Sequence, residues 1–88
     1  MIITKYASSG TLESSDAYVE IEPSKDGIKI EIESVVYKQF GENIKKVANE
    51  VLGDMDVKSA VVRITDKGAL ECVLRARIET AVLRGGEN

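Results

Sequence analysis

The sequence predicts an α+β domain, a small mostly antiparallel sheet of three to four strands with two helices packed on one face. Three observations carry that expectation. Two segments in the first half alternate strictly between apolar and polar residues. A longer segment in the middle changes to a helical period. A third alternating run then leads into a second helical stretch. Strands need period 2 and helices period 3.6, so this order reads as mixed secondary structure around one core.

The elements follow in chain order. Residues 1–16 open with a short apolar stretch and continue as Ala7-Ser8-Ser9-Gly10-Thr11-Leu12-Glu13-Ser14-Ser15-Asp16, small and polar, which predicts a mobile loop with a short extended piece around Thr11 and Leu12. Residues 17–22 put Ala17, Val19 and Ile21 on one face, and residues 28–33 do the same with Ile28, Ile30 and Ile32. Between them Pro23 ends pairing and Gly27 accepts positive φ, so the two runs read as a β-hairpin with one buried face.

From Val35 to Leu52, residues Val36, Tyr37, Phe40, Ile44, Val47, Ala48 and Val51 fall within one arc about 120° wide. Ser34 is placed to cap this helix and Gly53 to end it at C′. Ala60-Val61-Val62-Arg63-Ile64 is the third strand, and Asp66 can cap a second helix from about Ala69 to Arg84. That helix carries two apolar stripes. Leu70, Leu74, Ile78 and Ala81 form one, with Val73 at its edge. Cys72, Ala76 and Leu83 lie nearly opposite, so the helix either packs under more than one element or presents this stripe, or the rim containing Arg77, to a partner subunit or a second copy.

Composition narrows the function. A chain of 88 residues is one domain and buries only about 60% of its unfolded surface. No apolar run reaches the roughly 18 residues that span a bilayer, so no membrane partner is expected, and the first residues lack the order of a signal peptide. The net charge is −3, and residues 1–34 alone carry seven acids against three lysines. A nucleic-acid binder needs the opposite balance to neutralise phosphates. A single cysteine, Cys72, excludes an internal disulfide and fits a reducing, cytoplasmic setting.

The chain contains no histidine. That removes the usual proton shuttle near neutral pH, the commonest transition-metal ligand and the base of most serine or cysteine nucleophile dyads. No metal site and no catalytic residue set emerge. Glu20, Glu22, Glu31 and Glu33 would share the outer face of the hairpin, where carboxylates stay solvated instead of dividing into acid and base. Cys72, flanked by Leu70, Val73 and Leu74, reads as a buried, inert thiol. Among Arg63, Arg75, Arg77 and Arg84, Arg77 stands beside the first apolar stripe and must reach the rim or meet a carboxylate.

The string Gly10-Thr11-Leu12-Glu13-Ser14-Ser15-Asp16 resembles the prosthetic-group segment of the acyl carrier (gamma) subunits of citrate lyase, G-T-L-E-S followed by a small residue and Asp. Lys38-Gln39-Phe40-Gly41 and the run Asp66 to Arg77, D-K-G-A-L-E-C-V-L-R-A-R, resemble two further stretches of that family in the same order. Ser15 stands where relatives commonly carry Gly. The resemblance implies a single acyl carrier domain over 1–88, with residues 1–16 as attachment segment and 17–84 as body. It implies that Ser14 is joined by a phosphodiester to 2′-(5″-phosphoribosyl)-3′-dephospho-coenzyme A, installed by a separate prosthetic-group transferase. The Asp-Ser-Leu signature of fatty-acid acyl carrier proteins is absent, and the strand-rich pattern does not suit their four-helix bundle.

The implied role is that of a non-catalytic subunit in citrate fermentation. Cleaving citrate to acetate and oxaloacetate leaves carbanion character on the departing acetyl unit, which a neutral thioester carbonyl stabilises far better than a free carboxylate. The arm's thiol would carry acetyl and citryl thioesters between a transferase (alpha) subunit and a lyase (beta) subunit. The same residues are compatible with the carrier of malonate decarboxylase or citramalate lyase. They are also compatible with an unmodified protein-interaction module.

Overall fold

A computed structural model describes residues 1–87. Its elements are β1 (Ile2–Ile3), β2 (Ala7–Gly10), β3 (Ala17–Glu22), β4 (Ile28–Ser34), α1 (Tyr37–Asp54), β5 (Ala60–Asp66), α2 (Glu71–Gly85) and β6 (Gly86–Glu87). The main sheet has the order β2-β3-β5-β4, and β1 pairs with β6 in a separate two-stranded ribbon. β2 and β5 run antiparallel to β3, whereas β4 is parallel to β5. The predicted fold class is the observed one, α+β with a four-stranded, mostly antiparallel sheet.

The inner face of the sheet is apolar by alternation. Ala17, Val19 and Ile21 of β3 and Ala60, Val62 and Ile64 of β5 are buried, and the residues between them are not. Against this face α1 places Ile44, Val47, Ala48, Val51 and Leu52, and α2 places Leu74, Ile78, Ala81 and Val82. The two helices also pack against each other. No helix among the described residues is long and apolar enough to cross a membrane.

The predicted hairpin of residues 17–33 does not form. β5 lies between β3 and β4 and bonds to both. The reason is visible in composition. β5 carries Val61 on its outer side as well as its inner apolar set, so it gains most from a central place. β4 bears Lys29, Glu31 and Glu33 outward, which protects an edge from pairing with other chains. The loop after β3 crosses the start of β5, where the amide of Ala60 and the hydroxyl of Ser59 both donate to the carbonyl of Gly27. Local alternation cannot distinguish a hairpin from two strands that a third one separates.

Residues 1–16 are not a loop throughout. Ala7–Gly10 is a strand on the sheet edge, so the extended piece precedes Thr11 instead of including it. α1 begins two residues later than expected, with Val36 at its N-cap and no side-chain cap bond. Ser34 accepts a hydrogen bond from the Val36 amide while its hydroxyl turns to Asp66. Gly53 remains inside the helix. The end is a Schellman turn in which Asp56 takes the left-handed conformation (φ 55°), Val57 N–H donates to Leu52 O and Asp56 N–H to Gly53 O. Burial of Val57 against Leu52 explains why the helix runs past the glycine.

Candidate functional site

Ser14 lies in the connection between β2 and β3, at the end of the sheet where β4 and β5 also finish. The connection is a tight, pinned turn. Gly10 leaves β2 with φ +92°, and a Cβ there would fall 1.8 Å from the carbonyl oxygen of Ala17, so only glycine allows the chain to start back here. The amide of Asp16 donates to Glu13 O (3.2 Å), closing a four-residue turn with Ser14 and Ser15 at its centre. Ser15 adopts φ +67°, a left-handed conformation that any side chain beyond glycine adopts at a cost.

The turn is fastened at three points. Ser15 N–H donates to Lys67 O and Lys67 N–H to Asp16 O, both at 2.8 Å, extending the β3–β5 ladder beyond Ala17 and Asp66. The hydroxyl of Thr11 donates to Asp16 Oδ2 (2.7 Å) and accepts from the Glu13 amide (3.1 Å). Arg77 on α2 closes the arrangement, its Nε donating to Asp16 Oδ1 and its second terminal nitrogen to Oδ2, each at 2.9 Å. Asp16 Oδ1 also accepts from the Ala17 amide. The hydrogen bonds from Arg77, then Thr11, then Ala17 hold the Asp16 carboxyl well below the usual carboxylate range. Ser14 itself is exposed, and its hydroxyl takes part in none of these bonds.

A second anchor lies under the first. Asp66 is buried, and its carboxylate accepts from the Ser34 hydroxyl (2.8 Å) and the Ala69 amide (2.9 Å). It therefore caps the turn before α2, which begins at Glu71 and not at Ala69. The same residue's backbone oxygen accepts from Val35 N–H (3.3 Å). One buried carboxylate thus joins the ends of β4 and β5, next to the Lys67 contacts that hold the turn.

The other candidates are dispersed. Cys72 is exposed on α2, contrary to the expected burial, because only the Leu74–Ile78–Ala81 side of the helix meets the sheet. Ala76 and Leu83 are exposed with it, so the second stripe is a free face among the described residues. Leu70 is also exposed, since it precedes the helix that was expected to bury it. Phe40 and Tyr37 are half exposed although they belong to the α1 stripe, because that helix starts beyond the edge strand. Arg63 stands between the outer glutamates, bonded to Glu22 (2.8 Å) and near Glu31 (3.4 Å), so the four carboxylates never form one cluster. Arg75 pairs with Glu50 (2.9 Å) and Glu71 (3.4 Å), and Arg84 donates to Ser8 O.

Of the four arginines only Arg77 touches the Ser14 turn. The sequence marks Arg77 but not its partner. The spacing of Thr11, Asp16 and the Asp66-Lys67-Gly68 turn contained the signal, which becomes readable only once β3 and β5 are known to be neighbours.

The chain is similar to known proteins over nearly its whole length. A family described as malonate decarboxylase delta subunit (MdcD) matches residues 4–85. The chain is 56% identical to the citrate lyase acyl carrier protein of Clostridium perfringens over 88 residues, 99% of this chain and 87% of that one. It is 51% identical to citrate lyase acyl carrier protein 2 of Salmonella typhimurium, covering 99% of this chain and 91% of that one. A chain in the crystal structure of a Pseudomonas malonate decarboxylase hetero-tetramer in complex with malonate shares the fold, with a TM-score of 0.81 over 93% of this chain and 84% of that chain at 23% identity.

Proposed function

The chain belongs to the family of the citrate lyase acyl carrier proteins, and from that premise we propose that Ser14 is the attachment point of a CoA-derived arm in a citrate-cleaving complex. The observation that carries this reading is the presentation of Ser14. An exposed hydroxyl sits at the tip of a turn whose every neighbour is fixed, by Gly10, by the Lys67 backbone and by the Asp16–Arg77 pair. Such a site suits attachment, because a modifying enzyme can reach the hydroxyl while the loop has little freedom left to lose.

The residues present fit a phosphodiester-linked 2′-(5″-phosphoribosyl)-3′-dephospho-coenzyme A. Ser14 supplies the oxygen, no side chain covers it, and its neighbours need no rearrangement to admit a large substituent. When attached, the group supplies a thiol on which an acyl unit is held as a thioester. This chain's own part is mechanical. It anchors the tether, raises the local concentration of the thiol for transferase and lyase subunits, and offers the α2 face of Cys72, Ala76 and Leu83 for docking. In this reading the chemistry belongs to the transferase and lyase subunits, and this chain works beside them in the cytoplasm as a non-catalytic carrier.

The fold shared with a chain of malonate decarboxylase favours one second reading, a carrier for malonyl instead of citryl chemistry. Identities of 51% and 56% to citrate lyase carriers favour the first. The test is the intact mass of the protein from its native host, with mapping of residues 6–25. The expected result is one arm on Ser14, lost in Ser14→Ala, bearing acetyl when cells grow on citrate. An unmodified chain from cells containing the attachment enzyme would overturn the carrier reading, and a malonyl-derived group would select the second.

A further inference from the structure

Tyr37 opens α1 with its ring laid on Gly41, one turn further along. A Cβ at Gly41 would meet three ring atoms at 2.7–2.9 Å, so the glycine is what lets the aromatic ring lie flat on its own helix. A glycine inside a helix weakens it, and here the core gains nothing in return, because Tyr37 remains 54% exposed. Phe40 (51%), Val35 (66%) and Leu70 (71%) are exposed as well. Val35, Val36, Tyr37 and Lys38 line a shallow hollow at this end of the molecule.

This platform is fixed relative to Ser14. The backbone of Asp66 holds Val35, its carboxylate holds Ser34, and the next residue, Lys67, holds Ser15 and Asp16. β5 alone separates β3 from β4, so the ends of those strands stand two strand spacings apart, roughly 10 Å.

We propose that Tyr37, bedded on Gly41, is a stacking site for the purine ring of the nucleotide-containing arm tethered at Ser14. The inference rests on the attachment reading given above. Aromatic rings accept bases through their π faces, and Lys38 in the same hollow places a cation beside the arm's phosphates. Stacking on one exposed ring is weak between free molecules. A short tether raises the effective concentration to the millimolar range, so the arm docks for part of the time and is easily released to a partner. Tyr37 thereby becomes a resting place between visits to the two enzymes.

The test is proton NMR of the arm-loaded full chain. The adenine H2 and H8 resonances should shift upfield relative to the free arm, and the shift should persist on dilution. Tyr37→Phe should keep it. Tyr37→Leu should abolish it while mass spectrometry still finds Ser14 loaded, and Gly41→Ala, which displaces the ring, should reduce it. Adenine resonances at their free positions in the loaded wild-type chain would overturn the stacking site and leave the attachment reading intact. A shift that disappears on dilution would overturn it in favour of contact between copies. A chain that never becomes loaded would overturn the attachment reading instead.

Discussion

Arg77 grips both carboxylate oxygens of Asp16 at 2.9 Å across 61 residues of sequence, and so ties the middle of α2 to the turn that presents Ser14. The pair makes the position of an exposed serine a property of the packed core, because Arg77 lies one residue before the buried Ile78.

If Ser14 is the attachment point as proposed, replacing Arg77 by Ala should slow its loading on the order of tenfold, since a displaced loop presents its hydroxyl poorly. Amide hydrogen exchange at Ser15 and Lys67 should accelerate in the same variant. Arg77→Lys keeps the charge and loses the two-pronged geometry, so it should recover only part of either property. Exchange unchanged in Arg77→Ala would show that the turn stands without its clasp.

The pH dependence follows from Asp16. Its carboxyl is held below the ordinary range by Arg77 first, with Thr11 and the Ala17 amide adding to it. A group depressed in the folded state contributes stability that is complete above its unfolded value, near pH 4, and is lost as pH falls through the folded value. The protection of the Ser15 amide should therefore stay level from pH 8 to about pH 4 and decline only in stronger acid. Asp16→Asn should remove that acid limb, and a midpoint near neutrality would refute the assignment.

Two left-handed positions in the turn should respond in opposite ways. Ser15 pays for φ +67° with a side chain that the turn does not need, so Ser15→Gly should raise stability by about 0.5–1 kcal/mol. Gly10→Ala drives a methyl group into the Ala17 carbonyl and should lower it by roughly 3 kcal/mol. Urea denaturation of the two variants measures both.

Asp66→Ala removes the acceptor for the Ser34 hydroxyl and the Ala69 amide in a buried place. The expected loss is about 2 kcal/mol. The loss should come with faster exchange at Val35, whose bond to the Asp66 backbone depends on the same junction. A stability loss without any change at Val35 would confine Asp66 to capping α2.

Cys72 should react with a soluble alkylating reagent in the native subunit within about tenfold of its rate in the unfolded chain. A thiol that is inert until denaturant is added would place it under packing that the fold does not show. Its protection on addition of the partner subunits would locate them on the Cys72, Ala76 and Leu83 face.

Pattern along the chain was enough for the class of the fold, the inner residues of β3 and β5 and the buried stripe from Ile44 to Val51, and a motif was enough to single out Ser14 for the proposal. These are local matters. Alternation and helical period are fixed by which side of an element is apolar, and a motif is read along the chain. Only the packed fold shows that β5 separates the two alternating strands, that Asp16 meets Arg77, that Lys67 holds Ser15, and that Cys72 and Tyr37 face outward. Each of these depends on which strand pairs with which and on how a helix end stands against the sheet. Such choices are settled by the burial of the whole core and the pairing of every backbone group at once, and a short stretch of residues carries too little of that free energy to reveal them.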